Sequence, residues 1–283
     1  MEIIDRFEGI VEPLTEAMTA EARYRVWDSH MATDPTLRTI CLEDYAKHDL
    51  DPAQIALDRV FSDSPDSVRL RRCHARLMDV LETQRMALRQ IFGVDVDNLV
   101  VVLYHGIGNA AGWATSYAER DAVLFGIDKI VELGWDTLER LTDLVAHEIA
   151  HVMHARRRGE TLAEFARQCG EDWAFRLYAE GVATDVENRF YGRERTQLSW
   201  VEACRRREAE LKYEYTRLLE TNQSCQAFFG DWHAVDGIAD AGYYLGARWI
   251  GTLRKTHRWE AIMRLDAKRL RPLALNYLQD AKP

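Results

Sequence analysis

A mostly helical α+β fold is what this sequence predicts, and three observations carry the prediction. Apolar residues recur at helical spacing from Asp66 to Phe92, and a second amphipathic pattern runs from Asp136 to Gly159. Between them the composition shifts to a β-branched run, Asn98-Leu-Val-Val-Val-Leu-Tyr104, which starts a small sheet.

Residues 1 to 95 read as a helical N-terminal region, broken at Asp34-Pro35, Asp51-Pro52 and Ser64-Pro65. Proline fixes φ and disfavours helical geometry in the residue before it, so each pair marks a boundary. The longest element carries apolar residues at 70, 73, 77, 80, 81, 88 and 91 and ends at Gly93. This region is expected to support residues 96–283 or to form one wall of a cleft, and no feature in it assigns a chemistry. After the strand at 98–104 comes a loop with Gly106, Gly108 and Gly112. Trp113–Tyr117 and Ala122–Ile127 are further strands, which places the sheet immediately before the next helix.

In that helix Asp136 is the expected N-cap, with Glu139 three residues later, and Leu138, Leu141, Val145 and Val152 form the apolar stripe. Arg156, Arg157 and Arg158 suit the negative end of the helix dipole, and Gly159 suits the position past the last turn. The same helix contains His147-Glu-Ile-Ala-His151. Residues four apart share a helix face, so His147 and His151 can bind one ion together. Glu148, about 100° around from His147, can reach water at that ion without being a ligand. Zinc-bound water has a pKa near 7, within reach of a carboxylate base, and the signature therefore implies hydrolysis. The bland alternative is a solvated or core histidine pair.

A catalytic zinc needs a third protein ligand and an open position. His154 lies a turn too far along the helix to compete for it. Glu180 is the better choice: it interrupts the apolar surroundings of a second helix over 171–190, whose stripe is Phe175, Leu177, Tyr178, Val182 and Val186. A carboxylate there is costly to bury unless it is paired or bound to a cation. The bland reading is a solvent-facing glutamate. Further on, Thr196 to Cys225 reads as one long polar helix with Ser199 and Glu202 as a capping box. Asp240 to Gly251 reads as a helix despite three glycines, each costing about 1 kcal/mol against alanine. Gly242 and Gly246 share one face there, which permits close approach of another backbone or of substrate. Tyr243 is the preferred hydrogen-bond donor to an oxyanion, with Tyr244 and His233 as alternates; two core tyrosines are the plain reading.

These landmarks, Leu144-Val-Ala-His-Glu-Ile-Ala-His151, Ala179-Glu-Gly-Val-Ala183 and Ala241-Gly-Tyr-Tyr-Leu-Gly246, resemble the gluzincins and in particular bacterial families of predicted zinc-dependent proteases. The likeness covers roughly residues 98 to 255. It implies a zincin-like catalytic domain at 96–283 that binds Zn²⁺ through His147, His151 and Glu180, with Glu148 as base and a peptide or protein as substrate. It also implies that an edge strand pairs with extended substrate, a role to which Ala122–Ile127 is assigned, with an ordinary interior strand as the open alternative. Many gluzincins carry an aspartate four residues after the ligand glutamate; here that position is Thr184, and Asp185 follows it. The spacing argues against metzincins, because His154 and Arg157 stand where their Gly-x-x-His belongs. A silent zinc-binding regulatory protein is the alternative, and hydrolysis of a non-peptide amide or ester is a third reading.

Composition sets outer bounds. The 283 residues include 46 acidic and 37 basic side chains, a net charge of −9 that disfavours nucleic acid as a partner. No run approaches the roughly 18 apolar residues of a membrane span, and the first residues lack a basic segment followed by an apolar one, so a cytoplasmic enzyme is expected. Five scattered cysteines, Cys41, Cys73, Cys169, Cys204 and Cys225, read as reduced and buried.

Overall fold

The computed structural model describes residues 1–46, 50–190, 199–230, 234–238 and 240–280. The strands are β1 (Glu2–Asp5), β2 (Val100–Tyr104), β3 (Gly112–Tyr117) and β4 (Arg120–Gly126). The helices are α1 (Val11–Glu16), α2 (Ala20–Met31), α3 (Pro35–Ala46), α4 (Pro52–Ile55), α5 (Ser67–Phe92), α6 (Ile127–Glu132) and α7 (Leu138–Arg158), then α8 (Leu162–Glu171), α9 (Trp173–Phe190), α10 (Ser199–Arg206), α11 (Glu208–Glu220), α12 (Ala241–Leu253), α13 (Trp259–Ile262) and α14 (Ala267–Gln279). The fold is α+β, mostly helical, with one small sheet. The chain divides into two compact units, Met1–Ile149 and Ala150–Pro283, with the division falling inside the continuous helix α7.

The first unit is built on a mixed sheet in the order β1-β2-β4-β3, in which β1, β2 and β4 are parallel and β3 is antiparallel to β4. Every residue of β2 is buried, and so is β4 from Ala122 onward, as expected of strands covered on both faces. β4 is therefore interior. This corrects the expectation that Ala122–Ile127 is the edge: the outer strand on that side is β3. The hairpin joining them turns on Ala118 and Glu119, both at positive φ (48° and 60°), a geometry usually supplied by Asn-Gly. The N-terminal region is helical apart from β1, whose four residues pair with β2 in register from Glu2 with Val100.

Helix α5 buries Leu70, Cys73, Leu77, Val80, Leu81 and Leu88, the face its spacing predicts. Asp66 caps it by accepting from the Arg69 N–H at 2.9 Å, and Gly93 at φ 78° ends it. The N-terminus of α7 differs from expectation. Thr137, not Asp136, offers the capping oxygen, accepting from the Arg140 N–H at 3.3 Å. The Asp136 carboxylate instead takes two bonds from Arg69, at 2.5 and 3.1 Å. Leu138 also leaves the apolar stripe, being 60% exposed, while Leu141, Val145 and Val152 are buried. At the other end Gly159, at φ 73°, closes a Schellman motif in which Glu160 N–H donates to Ala155 O and Gly159 N–H to Arg156 O, both at 3.0 Å.

The second unit is helical. Phe175, Leu177, Tyr178, Val182 and Val186 of α9 are all buried, as their spacing predicts. α12 lies beside α9 and runs in the same direction, with Gly246 against Gly181 and Arg254 bonded to Asp185 at 3.0 Å. Gly242 and Gly246 of α12 are thus explained by what they touch. A Cβ at Gly246 would lie 2.5 Å from the Leu177 carbonyl oxygen, and one at Gly242 would lie 2.5 Å from the Phe229 ring. The expected long helix over 196–225 is two helices, α10 and α11, separated at Arg207, which leaves helical geometry and pairs with Glu210 and Asp236 at 2.7 and 2.6 Å. Thr196 and the Ser199 side chain, and with it the capping box, lie outside the described residues. The five cysteines are free thiols. Among the described residues, no helix is long and apolar enough to cross a membrane.

Candidate metal centre

Helix α7 sets His147 and His151 one turn apart, and α9 carries Glu180. One ligand atom from each of the three residues can be chosen so that all lie within 4.8 Å of one another. His151 Nε2 and Glu180 Oε2 are 3.3 Å apart, on side chains only 14% and 12% exposed. A tetrahedral ion with bonds of 2.0–2.2 Å holds its ligand atoms roughly 3.4 Å apart, so this pair already stands at the required span. Two imidazole nitrogens and a carboxylate oxygen suit zinc and several other divalent ions. The donors fit such an ion.

Glu180 owes its place to its neighbour. A Cβ at Gly181 would lie 2.5 Å from the carbonyl carbon and oxygen of Gly246, so α9 rests on α12 with backbone against backbone. The helix that carries the carboxylate is therefore fixed at the residue next to it. Nothing in the sequence singled out Gly181; the signal was the pairing of one glycine in each of two apolar helices.

The carboxylate one position beyond the usual aspartate is committed elsewhere. Asp185, 5% exposed, accepts from Arg189 and Arg254, each at 3.0 Å, and so pins α9 to α12. Thr184 Oγ1 is buried with no hydrogen-bond partner.

His154 is fully buried, edge-on to Phe165 and Tyr178 with ring centroids at 5.0 and 4.7 Å, and neither of its ring nitrogens has a hydrogen-bond partner. Burial holds its pKa well below the usual value, and it is a neutral core residue.

Glu148 sits where the edge strand begins. A Cβ at Gly112 would lie 2.7 Å from Glu148 Cγ and 3.0 Å from Glu148 Oε1, so the missing side chain leaves the space that this glutamate fills. Gly112 read only as a loop glycine in the sequence. Its relation to Glu148 depends on β3 being the outer strand, which one sequence does not reveal.

Of the possible oxyanion donors, Tyr244 is excluded by its bond to Glu208 Oε2 at 2.7 Å, and His233 lies outside the described residues. Tyr243 is partly exposed and stands edge-on to Phe229 at 5.7 Å. Burial pushes the thiols of Cys73, Cys204 and Cys225 up to about 12 and raises that of Cys169 as well, so none of the four offers a ready thiolate.

No family model matches the chain, and neither does any curated protein or solved structure.

Proposed function

We propose that the protein is a zinc-dependent metallopeptidase of the gluzincin kind, acting on a peptide or an unfolded protein segment. The observation that carries the reading is the convergence of His147, His151 and Glu180, with Glu148 next to the first ligand on the same helix. When bound, the ion supplies Lewis acidity toward water and toward the scissile carbonyl.

Glu148 takes a proton from the attacking water and returns it to the departing amine nitrogen. His147, His151 and Glu180 hold the ion and leave room for substrate, since three protein ligands do not close a tetrahedral site. β3 is the outer strand of the sheet and starts beside Glu148, and an extended peptide can pair along it without a demand on its side chains. Tyr243 donates its phenolic hydrogen to the carbonyl oxygen as that oxygen gains negative charge.

The test is Glu148→Gln, which removes the base and keeps the shape. In a mixed-peptide cleavage assay, turnover falls about 10²- to 10⁴-fold while the bound-zinc content stays at the parent level. Cleavage at the parent rate would remove Glu148 from the mechanism.

A further inference from the structure

The turn after β1 and the middle of α5 bring together a second set of metal-ligating side chains. Asp5, Glu8 and His74 offer ligand atoms that lie within 4.8 Å of one another. Asp5 divides its two oxygens between two tasks. Oδ1 accepts from the backbone N–H groups of Phe7 (2.9 Å) and Glu8 (3.4 Å), which folds the chain back and returns the Glu8 side chain toward its own carboxylate. Oδ2 faces His74 Nε2 at 2.8 Å. The His74 ring is fixed by stacking on Phe7, with centroids 4.9 Å apart and planes 20° apart, and its side chain is only 13% exposed.

Two carboxylates this close repel unless a cation lies between or beside them. Arginines are plentiful nearby, yet each is engaged elsewhere: Arg6 with Asp34, Arg71 with Glu12 and Arg72 with Asp136. Among the described residues, neither Asp5 nor Glu8 forms an ion pair with lysine or arginine. The site thus combines two carboxylates that no lysine or arginine neutralises with an imidazole held in place against Asp5 Oδ2. One nitrogen and two oxygens from two different elements form a donor set for a first-row divalent ion, whereas Ca²⁺ takes oxygen alone.

We propose that Asp5, Glu8 and His74 bind a second divalent transition-metal ion, which clips the turn after β1 to α5. The site is separate from His147, His151 and Glu180, and its existence does not depend on peptidase activity. Open positions on the ion are filled by water, and the role is to stabilise the first unit.

Zinc uptake by the metal-free full chain, measured by equilibrium dialysis and calorimetry, tests the proposal. The parent takes up two equivalents of Zn²⁺, while Glu8→Gln and His147→Ala each take up one. Glu8 is exposed, so its substitution leaves the fold intact; His74→Ala, which also removes the Phe7 contact, is the supporting variant. In Glu8→Gln the affinity of the second equivalent drops at least tenfold, and the rise in melting temperature that this equivalent gives the parent disappears. The proposal is overturned if Glu8→Gln binds as many ions as the parent with equal affinity, or if the second equivalent binds only at millimolar zinc. Should His147→Ala abolish all uptake, this site falls and the first stands; should Glu8→Gln abolish all uptake, the reverse holds.

Discussion

Gly181 on α9 and Gly246 on α12 stand so close that a Cβ on the first would lie 2.5 Å from the carbonyl of the second. The obstacle is backbone, which cannot swing aside as a side-chain tip can. The contact sits beside Glu180, so the packing that holds the second unit together also positions the third proposed ligand.

Gly181→Ala and Gly246→Ala are therefore each expected to destabilise the protein by about 1–3 kcal/mol or more, the usual range for overpacking. Gly251→Ala is the control, because its Cβ would meet nothing within 4 Å. As a helix-interior replacement it should add roughly 0.5–1 kcal/mol of stability. Urea unfolding midpoints distinguish the two outcomes, and equal effects at positions 246 and 251 would dismiss the close-contact account.

At Gly112 the obstacle is softer. A Cβ there would meet side-chain atoms, Glu148 Cγ at 2.7 Å and Leu144 Cδ1 at 2.8 Å, and both can move. Gly112→Ala should keep its fold and its zinc yet lose turnover about 10²-fold, the typical cost of displacing a catalytic group by about 1 Å. Retention of full activity with normal metal content would show that Glu148 tolerates the shift and that the glycine is there for the strand alone.

Tyr243 and Tyr244 should separate by assay. Tyr243→Phe lowers kcat by about 10²–10³-fold with little change in KM, as for loss of one oxyanion donor. Tyr244→Phe breaks the bond to Glu208 and costs about 1 kcal/mol of stability with turnover preserved. Parent-like kcat in Tyr243→Phe would leave that ring a packing role against Phe229.

His154 gives a pH dependence with a definite sign. Its folded-state pKa lies well below the unfolded value of about 6.5, because burial disfavours the charged ring. The neutral form's contribution to stability is complete above about pH 6.5 and is lost as pH falls toward the folded value, with a slope of up to about 1.4 kcal/mol per pH unit. In metal-free protein, His154→Leu should lack this slope between about pH 5 and 7. Parallel stability curves for parent and variant would show that His154 is not held neutral.

What could be read from the sequence followed period and punctuation. The stripe of α5 and its Gly93 stop are local signals, and both appear in the structure. The buried face of α9 and the side-by-side placement of Gly242 and Gly246 were legible for the same reason. Features that depend on distant partners were not. Asp136 has a good capping side chain, but Arg69, 67 residues away, takes its carboxylate, and Thr137 caps instead. β1 is too short to announce itself, and the Ala118-Glu119 turn lacks the usual hairpin residues, so neither the strand order nor the edge could be read in advance. Glu180 stood out as a lone carboxylate in an apolar helix; Gly181, which positions it, did not.

The most direct test of the central claim is zinc-edge X-ray absorption on Glu8→Gln protein carrying one equivalent of Zn²⁺, which leaves the site on α7 and α9 as the ion's proposed location. The account predicts two imidazole nitrogens at about 2.0–2.1 Å and carboxylate or water oxygen at about 2.0–2.2 Å, with tight binding lost in a further Glu180→Ala substitution. A spectrum with fewer than two imidazoles, or one that Glu180→Ala leaves unchanged at the same affinity, would contradict it.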